Sequence, residues 1–278
     1  MKRICILFLL VWTVAPLTAQ TQRALVFGLG RQQDTNWREI HGDRDAALVV
    51  SMLRDNGFGD IRVLRNEKAT KANMEAAFRG LIHRCTRGDI VYVHYSGHGQ
   101  LMTDVDGDEA QRWTGRHARY DESWIPYDAY MTPCRQDSGQ HHFCDDELAT
   151  YLTQIRRQIG TEGQLLVVVD ACHSGDATRG EATEYVRGVD IPFDLPLQTN
   201  TRPAHHLDEA WLTVSACRPY EVCFEHTQQR LGKLTHALYQ LRDRFMQMGA
   251  SELQQALQAY MDQHPSRLPQ HPVVSGKK

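Results

Sequence analysis

Short apolar runs alternate along the chain with longer segments whose apolar residues recur at helical spacing. The first run, from Ala24 to Gly30, predicts a β-strand, and Asp43 to Asn56 predicts a helix that ends at Gly57. Thr70 is the predicted N-cap of a second helix. The other predicted strands are Ile61–Leu64, Ile90–Tyr95, Leu165–Asp170 and Trp211–Ser215. Continuous apolar strands separated by helices are typical of a mostly parallel sheet with helices on both faces, so the pattern predicts an α/β fold.

Two polar stretches interrupt this alternation. Residues 101–140 are rich in Asp, Gly and Arg and lack a sustained period, which predicts a long irregular excursion between two central strands. Residues 176–206 contain several Pro and Thr and predict an exposed linker. We therefore expect one domain over residues 21–278, with a larger part at 21–175, a linker at 176–208 and a smaller part at 209–278.

The first twenty residues differ in pattern from the rest of the chain. Lys2 and Arg3 precede an apolar run from Ile4 to Val14, and the small residues Thr18 and Ala19 follow it. These are the three parts of a secretory signal, so residues 1–20 predict a signal peptide. The run is too short to cross a hydrocarbon core of roughly 30 Å, so we expect no stable membrane anchor. The mature chain is accordingly expected to be periplasmic or secreted.

Composition and charge narrow the classes of function. With 41% hydrophobic and 23% charged residues, the chain is ordinary for a globular enzyme. Its formal net charge of -3 provides no excess of positive charge for a phosphate backbone, so we expect no nucleic-acid partner.

Polar clusters follow the two most apolar strands. The strand that begins at Ile90 leads into His94-Tyr95-Ser96-Gly97-His98-Gly99, and the strand that begins at Leu165 leads into Asp170-Ala171-Cys172-His173-Ser174-Gly175. Groups beyond the carboxyl ends of neighbouring parallel strands meet in one crevice, so His98 and Cys172 are expected to lie close together. An imidazole beside a thiol supplies the base that a cysteine nucleophile needs near neutrality.

At these residues the chain resembles the caspase-like cysteine peptidases, and most closely the metacaspases and their bacterial relatives. The two motifs Tyr95-Ser96-Gly97-His98-Gly99 and Asp170-Ala171-Cys172-His173-Ser174-Gly175 occur in the family's order, each at a strand end. Further similar segments are Gly42 to Ala46, Asp121 to Asp128, Asp145 to Leu148, and Gly232 to Thr235 with Ala237-Leu238. The resemblance covers essentially the whole mature chain and implies a three-layer sandwich with a mostly parallel central sheet.

The resemblance also implies roles for individual residues. His98 would be the general base and acid, Cys172 the nucleophile, and the N–H groups of Gly99 and Cys172 the donors to the oxyanion. Asp45 and Asp170 would line the pocket for the residue before the scissile bond. Two carboxylates there would favour Arg or Lys. The expected activity is therefore an endopeptidase that cleaves proteins or peptides after Arg or Lys through a thioester.

The same preference makes the linker a potential substrate of the enzyme itself. Arg179, Arg187 and Arg202 lie there among Gly, Thr and Pro residues, so we expect self-cleavage after one of these arginines.

The resemblance also implies calcium as a possible cofactor, although the thiol mechanism itself requires no cofactor. It points to Asp128, Asp145 and Asp146 as ligands, but in the place shortly after the Cys motif where the family often has a further Asp, this chain has Asp176 and then Arg179. The alternative is that Asp145 or Asp146 caps the helix that contains Leu148. The acidic run from Asp104 to Asp108 departs from the EF-hand pattern and is interpreted as a solvated turn.

Other interpretations of the same residues stay open. Asp170 could cap the turn that follows its strand. The chain could also be a caspase-like binding module without activity, because a fold does not guarantee function. A metal-dependent hydrolase using His94, His98 and acidic loop residues is a third candidate.

Disulfides can persist in an exported protein, so the pairing of the cysteines bears on the predicted export. Seven Cys in 278 residues are too few for a disulfide scaffold. With Cys172 reserved as the nucleophile, the plausible local disulfides join Cys134 to Cys144 and Cys217 to Cys223.

Overall fold

The fold was obtained as a computed structural model that describes residues 20–107, 109, 114, 117–173, 185–196 and 210–277. Its centre is a six-stranded sheet whose strands, in spatial order, are β11 (Val273–Gly276), β8 (Leu212–Ser215), β7 (Gln164–Asp170), β3 (Ile90–Ser96), β1 (Gln22–Gly28) and β2 (Asp60–Arg65). All neighbours in this sheet are parallel except β11, which runs antiparallel to β8. The predicted signal peptide, Asp176, Arg179 and Arg202 lie outside the described residues, apart from Gln20.

The predicted strands of the central sheet are present with small shifts at their ends. Successive residues of a strand pack into the two hydrophobic cores on opposite faces of the sheet. In β1, for example, Ala24 and Val26 belong to one core and Leu25 and Phe27 to the other. The sheet is therefore buried on both faces, which explains why its strands have continuous apolar sequences.

Helices cover both faces and make the three-layer architecture. The helices are α1 (Gly42–Asp55), α2 (Lys71–Arg84), α3 (Asp145–Ile159), α4 (Lys233–Gln240) and α5 (Ala250–Gln263). Helices α1, α4 and α5 contribute to the core that contains Ala24, and α2 and α3 contribute to the core that contains Leu25. The second helix has the predicted N-cap, because the Thr70 hydroxyl accepts a hydrogen bond from the N–H of Asn73. No helix in the described ranges is both long and apolar enough to cross a membrane.

The predicted irregular excursion at 101–140 is wrong in part. A small antiparallel sheet is formed by β4 (Gly99–Thr103), β5 (Tyr120–Trp124) and β6 (Phe143–Cys144). The period of these strands is obscured because Gln100, Ser123 and other polar residues are buried alongside apolar ones. A two-stranded sheet of β9 (Glu225–His226) and β10 (Leu231–Gly232) also escaped prediction.

The part of the linker that the structure describes is not the exposed segment that its composition predicts. Val186, Arg187, Val189 and Phe193 are buried in residues 185–196. The backbone there pairs with other strands, since Val186 bridges Phe224 and both Gly188 and Phe193 bridge residues of β4. Pro192 and Pro196 indicated a loop correctly in this part, but proline content carries no information about what the loop contacts.

Candidate active site

The two sequence motifs meet at the carboxyl ends of β3 and β7. These strands are parallel neighbours, and their register pairs Ser96 with Asp170. His98 and Cys172 each follow two residues later, and the charge of Cys172 acts on the imidazole of His98. Both side chains are buried, with 1% of their surface exposed. The predicted convergence of a His and a Cys at a sheet edge therefore exists.

The imidazole of His98 is held from one side. Its Nε2 lies 2.7 Å from the carbonyl oxygen of Arg38, and its ring packs 5.1 Å from the ring of Trp37. Its Nδ1 is buried and has no hydrogen-bond partner within the described residues. Burial lowers the pKa of His98, although the Arg38 carbonyl and Cys172 act in the opposite direction. A neutral imidazole in this position can accept a proton.

Two further thiols surround the sulfur of Cys172. Cys217 and Cys223 are both within hydrogen-bonding contact of it, and the backbone N–H of Cys223 donates to it as well. Burial opposes ionisation, but these contacts and the charge of His173 hold the pKa of the Cys172 thiol well below its ordinary value. The pKa values of Cys217 and Cys223 are raised instead. These contacts favour the thiolate of Cys172, which is the form that a nucleophile needs.

The backbone of Arg187 lies directly over these groups. Its carbonyl oxygen accepts hydrogen bonds from the N–H of Cys172 at 2.9 Å and from the N–H of Gly99 at 3.3 Å. These are the two donors that the resemblance assigns to the oxyanion. The next residue, Gly188, is so close that a Cβ built on it would lie 2.8 Å from the Cys172 sulfur. The peptide bond after Arg187 therefore lies beside the thiol with its oxygen between both donors.

The side chain of Arg187 enters a buried pocket of three carboxylates. Its Nη2 lies 2.6 Å from Asp45 Oδ2 and 2.8 Å from Glu225 Oε1, and its Nη1 lies 3.5 Å from Asp170 Oδ1. Its Nη1 also donates to the hydroxyl of Ser96 at 2.5 Å. All four charged side chains are fully shielded from solvent. Asp45 and Asp170 thus lie together in one pocket, as expected.

The protonation of this pocket depends on the guanidinium. Burial raises the pKa of Asp45 to about 7 even though the charge of Arg187 lowers it. Burial also opposes ionisation of Glu225, but the charge of Arg187 and the contact with His41 bring the pKa of that carboxyl below its ordinary value. Three carboxylates without a cation would repel one another in this low-dielectric site.

Neighbouring groups hold the carboxylates in place. Asp170 accepts hydrogen bonds from the N–H and hydroxyl of Thr235, at 2.8 and 2.7 Å. Asp45 accepts from the N–H of Gly232 at 3.0 Å. A Cβ on Gly232 would lie 2.2 Å from Asp170 Oδ2, so the pocket needs glycine there. These contacts explain why the segment beginning at Gly232 belongs with the two main motifs.

Sequence reasoning missed three contributions to the site. Glu225 gave no signal, because it follows no predicted strand and its role depends on non-local pairing. The Arg38 carbonyl is a backbone group, and residue type does not reveal such groups. Arg187 was noted as a possible cleavage point but not as a buried residue.

The expected calcium ligands do not lie in one cluster. Asp145 and Asp146 begin α3 and both interact electrostatically with the carboxylate of Asp121. Asp128 instead accepts a hydrogen bond from the N–H of Lys71 and contacts His141 at 3.0 Å. Burial, together with the carboxylates of Asp104 and three other acidic residues, raises the pKa of Asp121 to about 9.

The donor chemistry of this group suits calcium, but its arrangement does not. One carboxylate oxygen each of Asp121 and Asp145 is buried without a hydrogen-bond partner in the described part of the chain. Oxygen ligands of this kind are those that calcium prefers. Within the same ranges, however, no three His, Cys, Asp or Glu side chains are arranged to hold a metal ion.

His94, which the alternative of a metal-dependent hydrolase uses as a ligand, is engaged by protein side chains instead. His94 is fully buried, its Nδ1 lies 3.2 Å from the hydroxyl of Tyr92, and its Nε2 lies 3.4 Å from that of Thr235. Burial and the charge of Arg187 lower the pKa of His94 to about 3. This imidazole stays neutral and packs behind the pocket.

The predicted disulfides are not formed. All six described cysteines are free thiols: Cys85, Cys134, Cys144, Cys172, Cys217 and Cys223. Cys217 and Cys223 do lie close together, as their spacing indicated, but both also contact Cys172.

Comparison with known sequences gives one consistent family. Residues 43–179 match the family described as "Metacaspase, peptidase C14 domain". Metacaspase-1 of Schizosaccharomyces pombe is 29% identical over 203 residues, which are 69% of this chain and 40% of that protein. Metacaspase-1 of Mycosarcoma maydis is 33% identical over 141 residues, which are 48% of this chain and 31% of that protein. The chain thus matches less than half the length of these relatives.

Solved structures show the same fold at low sequence identity. A protein from Geobacter sulfurreducens has a TM-score of 0.62 at 19% identity, and the match covers 92% of each chain. Caspase-1 from Spodoptera frugiperda has a TM-score of 0.60 at 14% identity, covering 93% of this chain and 89% of that one. The architecture is therefore caspase-like.

Proposed function

This chain belongs with the caspase-like, metacaspase-related peptidases, and we propose that it is a cysteine endopeptidase that cleaves proteins or peptides after Arg or Lys. One observation carries the proposal. Arg187 has its guanidinium among three buried carboxylates while its carbonyl oxygen accepts from the N–H groups of Gly99 and Cys172. A substrate residue before a scissile bond needs both contacts at once.

The first half of the reaction forms a thioester. His98 takes the thiol proton, and the sulfur of Cys172 attacks the carbonyl carbon of the basic residue. The carbonyl electrons move onto oxygen, which the N–H groups of Gly99 and Cys172 hold. The C–N bond then breaks, and the leaving amine takes the proton from His98. The acyl group stays on Cys172.

The second half returns the enzyme to its starting state. A water molecule gives a proton to His98, and its oxygen attacks the thioester carbon. The C–S bond breaks, and the sulfur recovers the proton that His98 carries. The product has a new carboxyl group. The carbonyl of Arg38 keeps the imidazole oriented through both halves, because it engages Nε2 and leaves Nδ1 available.

The preference for a basic residue follows from charge. Asp45, Asp170 and Glu225 are all shielded from solvent, so an acidic side chain would add a fourth negative charge to a low-dielectric pocket. A guanidinium can donate two parallel N–H hydrogen bonds to a carboxylate, so cleavage after Arg is expected to be faster than cleavage after Lys.

The bond after Arg187 is the proposed site of self-cleavage. The guanidinium of Arg187 lies among the three carboxylates, and its carbonyl oxygen accepts from both expected oxyanion donors. We further propose that the protein acts in the periplasm or outside the cell. Because the described carboxylates near Asp121 do not form a complete metal site, we propose that calcium binds there only weakly and takes no part in the chemistry.

Two experiments test the function. Full-length protein and its Cys172→Ala variant are incubated, and intact mass and N-terminal sequencing are recorded. We expect a new N-terminus at Gly188 in the active protein and none in the variant. A peptide panel varied before the cleaved bond should give cleavage after Arg and Lys only. An inactive protein in both assays would favour a binding module, and preference for Asp would contradict the pocket assignment.

A further inference from the structure

We infer that the enzyme also selects the two substrate residues after the cleaved bond. It requires glycine at the first position and a medium-sized aliphatic side chain at the second. The inference rests on the proposed cleavage at Arg187 and extends it to the leaving side of the substrate. It is carried by the contacts of residues 188–193, which continue across the site beyond the thiol.

The first position after the bond has no room for a side chain. A Cβ on Gly188 would lie 2.1 Å from the carbonyl oxygen of Cys172 and 2.8 Å from its sulfur. The first of these atoms is backbone of the nucleophile itself, so it cannot move aside without displacing the thiol. Glycine is therefore required there for geometric reasons.

The second position after the bond fills an apolar pocket. The side chain of Val189 is 8% exposed and packs in a cluster with Trp37, Ile125, Ala129 and Met131. This cluster is separate from the two cores that flank the central sheet. The pocket is therefore a local feature of the site.

The strand β4 aligns this side of the substrate. Gly188 forms a parallel bridge with Gly99, and Phe193 forms one with Met102. The N–H of Phe193 donates to the carbonyl of Leu101 at 2.8 Å, and the N–H of Thr103 donates to the carbonyl of Phe193 at 3.2 Å. Main-chain pairing of this kind fixes the register of a bound peptide while side-chain pockets select its sequence. The segment before the bond is held in the same way, because the N–H of Arg187 donates to the carbonyl of Cys223.

Trp37 connects the apolar pocket to the catalytic imidazole. Its ring packs against that of His98 at 5.1 Å, and its indole N–H donates to the carbonyl of Ala129 at 3.1 Å. The next residue, Arg38, supplies the carbonyl that holds His98 Nε2. A side chain that fills the pocket thus packs against the segment that orients the imidazole. We expect it to act on kcat as well as on KM.

A peptide series tests the inference on the full-length active enzyme. The parent peptide is Tyr-Val-Arg-Gly-Val-Asp, which copies residues 185–190, and its variants carry Ala or Asp in place of the second Val or Ala in place of Gly. Val to Ala should lower kcat/KM about tenfold or more, as for other losses of methyl groups from an apolar pocket. Val to Asp and Gly to Ala should lower it further. If all these peptides are cleaved equally after Arg, the inference is wrong and the proposed function stands. If none is cleaved, the proposed function itself fails.

Matched variants test the same point within the chain. Val189→Ala should slow the appearance of the Gly188 N-terminus about tenfold. Ile191→Ala is the control, because that side chain is 52% exposed on the same segment. Equal rates for the two variants would contradict the inference.

A substitution in the apolar pocket can change the preference between two peptides, and a general loss of stability would not change that preference. Ala129→Leu adds volume where the valine side chain packs, so it should invert the ratio of kcat/KM between the Gly-Val and Gly-Ala peptides. A variant that loses activity on both peptides in proportion would speak against a specificity pocket at Ala129.

Discussion

Two groups of buried carboxylates in this molecule have opposite electrostatic surroundings. In the pocket, Asp45, Asp170 and Glu225 surround the guanidinium of Arg187. In the second group, the strongest influences on Asp121 are burial and other carboxylates, including Asp146. The pKa of Asp45 is raised to about 7, whereas that of Asp121 is raised to about 9. The contrast shows how much a single buried cation changes the charge that such a group can hold.

The comparison separates two ways of tolerating buried acids. Near neutral pH the pocket carries negative charge that an arginine balances. Asp121 instead remains protonated, because its neighbours are themselves acidic. The first arrangement selects a basic ligand, and the second responds to pH or to an added cation. Four predictions test this difference, in order of decreasing effect.

Removal of the cation from the pocket should have the largest effect. Arg187→Met leaves three buried carboxylates without their counter-charge, and breaking a buried ion pair costs about 3 to 5 kcal/mol. The free energy of unfolding, measured with urea in the Cys172→Ala background, should fall by this amount. Arg62→Met is the control on an exposed arginine and should change it by less than about 0.5 kcal/mol. Equal effects would mean that the pocket does not need its cation.

Removal of one carboxylate should weaken recognition of arginine peptides. Glu225→Gln removes the negative charge from the group whose Oε1 accepts two hydrogen bonds from Arg187, from Nε at 3.1 Å and from Nη2 at 2.8 Å. Loss of one partner from a buried pair costs about 2 kcal/mol or more, so kcat/KM should fall about 30-fold or more. Glu147→Gln, at a half-exposed carboxylate that pairs with Lys71, should leave it unchanged. Full activity of Glu225→Gln would remove this residue from substrate recognition.

Stability should depend on pH through Asp121. Its pKa is about 9 in the folded chain and near 4 when unfolded, so its contribution is present at low pH and is lost as pH rises between these values. Asp121→Asn keeps the side chain neutral and should therefore stabilise the protein at pH 8 by about 1 to 3 kcal/mol more than at pH 5. Urea unfolding at both pH values measures the difference. A pH-independent effect would contradict the raised pKa.

Calcium should have the smallest effect. A millimolar site would raise the free energy of unfolding by about 1 kcal/mol at 10 mM calcium. We expect Asp145→Asn or Asp146→Asn to abolish this gain, and Asp128→Asn to keep it, because Asp128 already binds Lys71 and His141. Thermal unfolding with calcium, with magnesium as control, measures it. The expected capping role is wrong, because Cys144 is the N-cap of α3 and no side chain caps the helix. Equal stability with and without calcium would therefore leave Asp145 and Asp146 as acidic residues of the first turn, where negative charge favours the helix N-terminus.

The sequence was most informative where short-range pattern decides structure. The central strands were predictable because burial on both faces makes them continuously apolar, and Thr70 because a cap is a local contact. His98 and Cys172 could be brought together because both follow neighbouring parallel strands. The sheet containing β4 and the role of Glu225 were not predictable, since they depend on pairing between distant segments. The buried position of Arg187 was hidden for the same reason.

The pairing of the segment before Arg187 has a consequence for the time course of the reaction. The N–H of Arg187 donates to the carbonyl of Cys223, and the N–H of Glu225 donates to the carbonyl of Tyr185. A cut after Arg187 breaks neither of these bonds and leaves the guanidinium among its carboxylates. The new chain end is therefore a tethered product inhibitor at a high effective concentration. Cleavage of other molecules would begin only after this chain end leaves the site. The resulting lag would be independent of enzyme concentration, because the release is intramolecular.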